Sequence, residues 1–209
     1  MILIGMFDSP YVRRVAVSLR LLDLDFEHRD WSVGADFDRI REFNPLGRVP
    51  TLVLDDGEVL SESSAILDWL DETVGAQRAL LPRDGAGRRR SLQIMALATG
   101  AADKGVAQLY ERAFRPPEKR HEPWVARCRT QMETTLAVLD RICADTQGTW
   151  LGGDRIGQVD ITLTAVSTFL HEALELDPAR HPALARRTAL GEALPAFRAF
   201  HRPFFVPKG

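Results

Sequence analysis

Apolar residues run from Met1 to Phe7 (MILIGMF), and the run stops at Asp8 and Ser9. Such a start reads as a strand. Ser9 suits a helix N-cap because its oxygen accepts a bond from an orphan backbone N–H, and Pro10 suits the first helical position, where its missing N–H costs nothing. Val12, Val15, Ala16, Leu19 and Leu22 then follow on one face of a 3.6-residue period. The pattern is strand, tight turn, helix.

Phe26 to Trp31 alternates large and polar residues as a half-buried strand does, and Phe37 to Phe43 is a short helix ended by Asn44 and Pro45. A strand over Thr51 to Leu54, an Asp56-Gly57 turn, a strand over Glu58 to Leu60 and a helix over Ser63 to Val74 come next. Gly75 to Gly87 (GAQRALLPRDGAG) marks a boundary between an α/β unit, residues 1–76, and an all-α remainder, residues 87–209. There Arg88 to Phe114 is a long helix, Pro116 and Pro117 interrupt, and Glu122 to Ala144 begins another with Trp124, Met132, Leu136 and Leu139 inward. Val159 to Leu174 is apolar enough to be a central buried helix, and shorter helices over Pro182 to Leu190 and Glu192 to Phe200 complete the bundle.

Composition changes this picture little. The 209 residues are 45% hydrophobic and 27% charged, as in an ordinary globular protein. A net charge of −2 offers no broad positive footprint, so neither nucleic acid nor an anionic membrane is an expected partner. Arg88 to Arg90 reads as a solvated helix start, and GGDRIG as a surface loop. Cys128 and Cys143 fall in one helical pattern about 22 Å apart along its axis, too far for a disulfide. MILIGMF is too short for a signal-peptide core, and no apolar run approaches a bilayer span. A cytoplasmic protein is expected. The five histidines form no HExxH pattern and no Cys/His cluster has ligand spacing, so no metal is expected.

Three stretches carry a resemblance across nearly the whole chain: SPYVRRV at the first helix, FNPLGRVPTL before the third strand and LSESSAI where the fourth strand meets the third helix. In this order they resemble the cytosolic glutathione transferases, with the bacterial Ser-Pro-aromatic type the most similar. The resemblance implies a thioredoxin-like α/β N-terminal domain followed by an all-α helical C-terminal domain. It places glutathione in the first as co-substrate and a hydrophobic electrophile against the second.

It also assigns roles. Ser9 stands where the family keeps its thiol-activating residue, and a hydroxyl at a helix N-terminus can donate to a thiolate. A thiol of pKa about 8.5 is roughly 3% ionised at pH 7; stabilising the anion by about 2.7 kcal/mol raises that to roughly three quarters. The bare alternative is that Ser9 is only a cap. Val49-Pro50 resembles the family's cis-proline turn, whose free backbone groups pair with an extended peptide; a proline opening a strand is the plainer reading. Glu62 and Ser63 match the pair that grips the γ-glutamyl end, the carboxylate taking an ammonium and the helix start taking a carboxylate. In isolation they read equally as a charged turn and a cap.

Two departures stand out. The loop Ser32 to Asp38 lacks the lysine or histidine that related classes use for the glycyl carboxylate, and Arg39 or Arg48 substitutes. Gly157 replaces the usual Ser/Thr cap before Asp160, at a cost of a few tenths of a kcal/mol. The implied reaction is attack of the glutathione thiolate on an electrophilic carbon, in an apolar cleft drawing on Tyr11, Tyr110 and Phe114. Glutathione-dependent isomerisation or dehalogenation, and a non-catalytic binding protein, are the alternatives. The thiol oxidoreductase variant is disfavoured because neither cysteine lies near Ser9. A homodimer is implied, with Gly100 and Gly105 either permitting close packing across its interface or marking a bend.

Overall fold

The computed structural model describes residues 1–205. β1 (Ile2–Ile4), β2 (Glu27–Arg29), β3 (Thr51–Val53) and β4 (Val59–Ser61) form one sheet in the order β2-β1-β3-β4. β1 runs parallel to β2, Leu3 opposite His28, and antiparallel to β3, Leu3 opposite Leu52. β3 and β4 are an antiparallel hairpin with Leu52 opposite Leu60. The parallel pair needs a crossover, which α1 (Pro10–Leu21) supplies; α2 (Phe37–Arg41) and α3 (Ser63–Val74) complete this thioredoxin-like unit. The strands are shorter than the alternation suggests. β2 takes only the middle of Phe26 to Trp31.

The rest is helical: α4 (Gly85–Ala113), α5 (Glu122–Asp145), α6 (Gln158–Leu174), α7 (Pro182–Glu192) and α8 (Pro195–Ala199). The expected last helix over Glu192 to Phe200 is divided differently, because α7 runs on to Glu192 and Pro195 restarts the chain at the first position of α8. α6 is buried along most of its length, as its composition predicts. At its start the Gly157 N–H donates to Asp160 Oδ2 at 3.1 Å, and the Leu151 and Gly152 N–H groups reach the same carboxylate at 2.7 and 3.3 Å. No helix among the described residues is long and apolar enough to cross a membrane.

Two cores lie side by side. One joins the helices through residues such as Ala98, Met132, Leu136 and Leu170. The other fills the space between the sheet, α1 and α3, and takes Ile161 from α6 and Phe197 from α8. α1 is therefore packed on both sides, which explains why Arg13 and Arg14 are buried along with its apolar stripe. Arg13 forms two bonds to Glu192, at 2.7 and 2.6 Å, and one to the Phe197 carbonyl at 3.1 Å, tying α1 to the C-terminal helices.

One sequence expectation is corrected, and another position gains a reason within the chain. Trp124 is 41% exposed, while the inward stripe of α5 is Val125, Cys128, Met132, Leu136, Leu139 and Cys143. In the first turn the Trp124 ring instead lies under the Lys104 ammonium, 5.5 Å from its centroid, a favourable contact at a wet surface. Gly105 serves this chain's own packing: a Cβ there would sit 2.4 Å from Leu170 Cδ2 of α6, whereas Gly100 has nothing within 4 Å. Cys128 and Cys143 are buried and unbridged.

Candidate active site

Three segments converge at Gly5, just past β1. Its φ is +132°, and a Cβ would lie 2.6 Å from Val12 Cγ2 and 2.7 Å from Val49 Cβ. Only glycine lets the first turn of α1 and the loop before β3 approach this closely. Ser9 caps α1, its oxygen accepting the Val12 N–H at 3.5 Å. The hydroxyl proton stays available to a ligand, since accepting a bond uses only a lone pair.

The loop before β3 is fixed by Asn44, which is buried. Its amide donates to the Arg48 carbonyl at 2.9 Å and to Thr51 Oγ1 at 3.2 Å, while its oxygen accepts the Leu46 N–H at 3.1 Å. The Val49-Pro50 bond that follows is cis, as the resemblance implies. The N–H and C=O of Val49 enter no hydrogen bond among the described residues.

At the start of α3, Glu62 adopts φ +70° and Ser63 is buried. Behind them lies a group the sequence reading missed. Arg14 Nη2 donates to Ser63 Oγ at 2.7 Å and Ser64 Oγ at 3.4 Å, and Nη1 donates to Thr162 Oγ1 at 3.2 Å. Burial lowers the guanidinium pKa to about 10, against the opposing pull of Tyr11, Glu62 and Asp103. A positive charge bonded only to hydroxyls thus backs a helix start, whose first N–H groups have no partner within the helix, an arrangement suited to an anion. Arg48 and Glu62 pair across the opening at 3.3 Å, both about half exposed, a contact worth little by itself.

A cavity of about 820 Å³ runs between the sheet unit and the helices. Ser9, Tyr11, Arg48 and Val49 line one side and Tyr110 of α4 and Phe114 just past its end line the other, their rings 5.0 Å apart and edge-on. Pro50, Glu62 and Ser63 do not line it, and Glu62 reaches it through Arg48. Arg39 also lies off the cavity, 65% exposed and paired with Asp36 at 3.3 Å. The Tyr11 hydroxyl donates to Asp103, and burial together with that carboxylate pushes its pKa far up, so Tyr11 stays protonated.

The chain's last described residues form a strap across the cavity. Phe204 packs edge-on against Phe169 at 5.5 Å, its N–H reaches Glu172 at 3.3 Å, and His201 Nε2 meets the other oxygen of Glu172 at 2.8 Å. The Phe205 N–H donates to Asp8 Oδ2 at 3.3 Å. Neither Asp103, Asp8 nor this strap was singled out from the sequence. For Arg14 a signal existed: two arginines in the middle of an otherwise apolar helix (YVRRVAV).

Comparison with known proteins agrees with this geometry. The family model described as the glutathione S-transferase N-terminal domain matches residues 3–78, and the C-terminal domain model matches residues 122–202. The maleylacetoacetate isomerase of Pseudomonas aeruginosa is 31% identical over 197 residues, 90% of this chain and 89% of that protein. An uncharacterised GST-like protein of Escherichia coli K12 is 34% identical over 144 residues, 68% of this chain and 70% of its own. A solved glutathione S-transferase from Methylobacterium radiotolerans, in complex with glutathione sulfonate, has a TM-score of 0.88 at 34% identity, covering 100% of this chain and 95% of that one. With both domains matched in order and relatives aligned over most of their length, the chain belongs to the glutathione S-transferase family.

Proposed function

We propose that the protein is a glutathione transferase in which Ser9 holds the bound tripeptide as a thiolate that attacks an electrophilic carbon. The observation that carries this reading is the placement of the Ser9 hydroxyl on the cavity wall at the N-terminus of α1, with its proton still to give. The thiolate accepts that proton as a hydrogen bond, and the helix start adds positive potential.

The remaining contacts follow from the chemistry of the tripeptide. Its cysteinyl backbone pairs with the unengaged N–H and C=O of Val49 beside Pro50. Its γ-glutamyl carboxylate takes the start of α3 and the Ser63 hydroxyl, with Arg14 behind it, and its ammonium takes Glu62. Arg48, on the cavity wall, takes the glycyl carboxylate, a role for which Arg39 is badly placed. Residues 1–76 then hold glutathione, and residues 87–209 supply the apolar surface, Tyr110 and Phe114 included, on which a hydrophobic acceptor rests beside Tyr11. Desolvation in such a cleft strengthens every charge interaction made there. The working form is a homodimer.

The test is conjugation of an aryl halide such as chlorodinitrobenzene. Ser9→Ala should lower the rate roughly ten- to a thousandfold, the contribution of one positioned hydrogen bond to a developing or stabilised anion. Unchanged turnover would remove Ser9 from the mechanism. Retention on immobilised glutathione without turnover of any electrophile would favour a binding protein. The similarity to a maleylacetoacetate isomerase supports isomerisation by the same thiolate as a second reading. Product analysis separates the two: a conjugate retains the sulfur, an isomer does not.

A further inference from the structure

Asp8 immediately precedes Ser9 and lines the same cavity, yet no step above uses it. Its Oδ2 accepts the Phe205 N–H at 3.3 Å, while its Oδ1 is shielded from solvent and has no hydrogen-bond partner among the described residues. A carboxylate oxygen held away from water with no donor at hydrogen-bond distance is costly, and the cost falls when the carboxyl carries a proton. The other charged groups that line the cavity do not relieve it. Arg48 is engaged by Glu62, Asp103 accepts from Tyr11, Arg202 donates to the His201 carbonyl, and Asp30 repels a second negative charge. Burial first, and the Asp30 charge with it, push the Asp8 carboxyl above the ordinary range, against the backbone N–H groups of Phe205, Asp8 and Ser9.

We propose that Asp8 carries the thiol's proton, taking it from glutathione and returning it to acceptors that gain hydrogen, α,β-unsaturated carbonyl compounds being the simplest class. This rests on Ser9 being the thiolate's partner. The S–H proton passes to the Asp8 carboxylate and leaves the thiolate against the Ser9 hydroxyl. The sulfur then bonds to the β-carbon while the C=C pair moves toward the carbonyl as an enolate. The Asp8 O–H finally protonates the α-carbon, which restores the carboxylate. One thiol and one enone give one adduct, and no proton enters the solvent. An aryl halide differs, because chloride leaves with the electron pair of its bond and the product takes up no hydrogen, so the proton must be released.

The experiment compares wild-type protein and Asp8→Asn with glutathione and two acceptors, an α-substituted enone and chlorodinitrobenzene. The variant keeps an oxygen for the Phe205 N–H but cannot shuttle the proton. Its enone turnover should fall at least about tenfold more than its aryl halide turnover, the scale of a lost general acid. In deuterated water the wild-type protein should place deuterium on one face of the α-carbon of the initial adduct, a readout that needs no variant to fold. Equal losses on the two acceptors, or deuterium on both faces in the wild-type adduct, would overturn the assignment of Asp8. Wild-type protein that turns over neither acceptor overturns the transferase reading itself, and this proposal with it.

Discussion

Replacing Arg14 by Met keeps a long unbranched side chain and removes a buried charge, and opposing terms set the outcome. The bonds lost run to Ser63 at 2.7 Å and Thr162 at 3.2 Å, with a longer, weaker one to Ser64 at 3.4 Å. Bonds from a charged donor contribute about 1.5–3 kcal/mol each. The term regained is the cost of holding a guanidinium away from water. Burial holds its pKa well below the usual guanidinium range, at about 10. At about 1.4 kcal/mol per unit this is roughly 3 kcal/mol against the charged form. The stranded partners are hydroxyls, which turn toward other acceptors, and none is a carboxylate left without its cation. Folding stability should therefore change by about 3 kcal/mol or less, read from urea midpoints. Glutathione should suffer more, because Ser63 and the start of α3 lose the charge behind them; its KM should rise at least about tenfold, with a smaller effect on the acceptor's KM. An Arg14→Met variant that loses more than about 4 kcal/mol of stability while its glutathione KM stays put would refute this account and make Arg14 a purely structural residue.

Three further outcomes are expected. Ser9→Ala should cost at most about 1 kcal/mol of stability, because a cap bond of 3.5 Å is long, so its loss of rate is not a loss of fold. Asp160→Ala strands three backbone N–H groups, one at the α6 start and two in the loop before it, and should cost about 3 kcal/mol, lowering Tm by roughly 6–12 °C in calorimetry, with Asp160→Asn in between. His181 is buried, and burial lowers its pKa, so the folded state binds its proton less readily than the unfolded chain. Its contribution to stability is complete above the ordinary histidine pKa of about 6.5 and is lost as pH falls through that value toward the lowered folded one. His181→Gln should flatten the dependence of Tm on pH in that window; an unchanged slope would remove His181 as its source.

Local chemistry made much of this architecture readable. Ser9 and Pro10 announce the start of α1 by capping rules, Asp56-Gly57 announces a hairpin, and the apolar run from Val159 to Leu174 announces a buried helix, because each signal lies within a few residues of its effect. What escaped depends on residues far apart in the chain. Arg14 meets Ser63 only once α1 and α3 share the sheet unit, and Arg14 meets Thr162, Tyr11 meets Asp103 and Phe205 meets Asp8 only after that unit and the bundle close on each other. Periodicity cannot register such meetings. Trp124 illustrates the converse: its spacing put it on the inner stripe, but in the first turn of α5 its neighbour is the charged end of Lys104. The cis Val49-Pro50 bond was legible only through family resemblance, since a proline before a strand looks the same in either isomer.

The most direct test of the central claim, that sulfur ionises against the Ser9 hydroxyl, is the ultraviolet thiolate absorbance of the glutathione complex as a function of pH. In wild-type protein the band should be well developed at neutral pH, with an apparent thiol pKa about two units below that of free glutathione, and it should shift back upward in Ser9→Ala. Saturated wild-type protein whose bound thiol titrates like the free tripeptide would contradict the account.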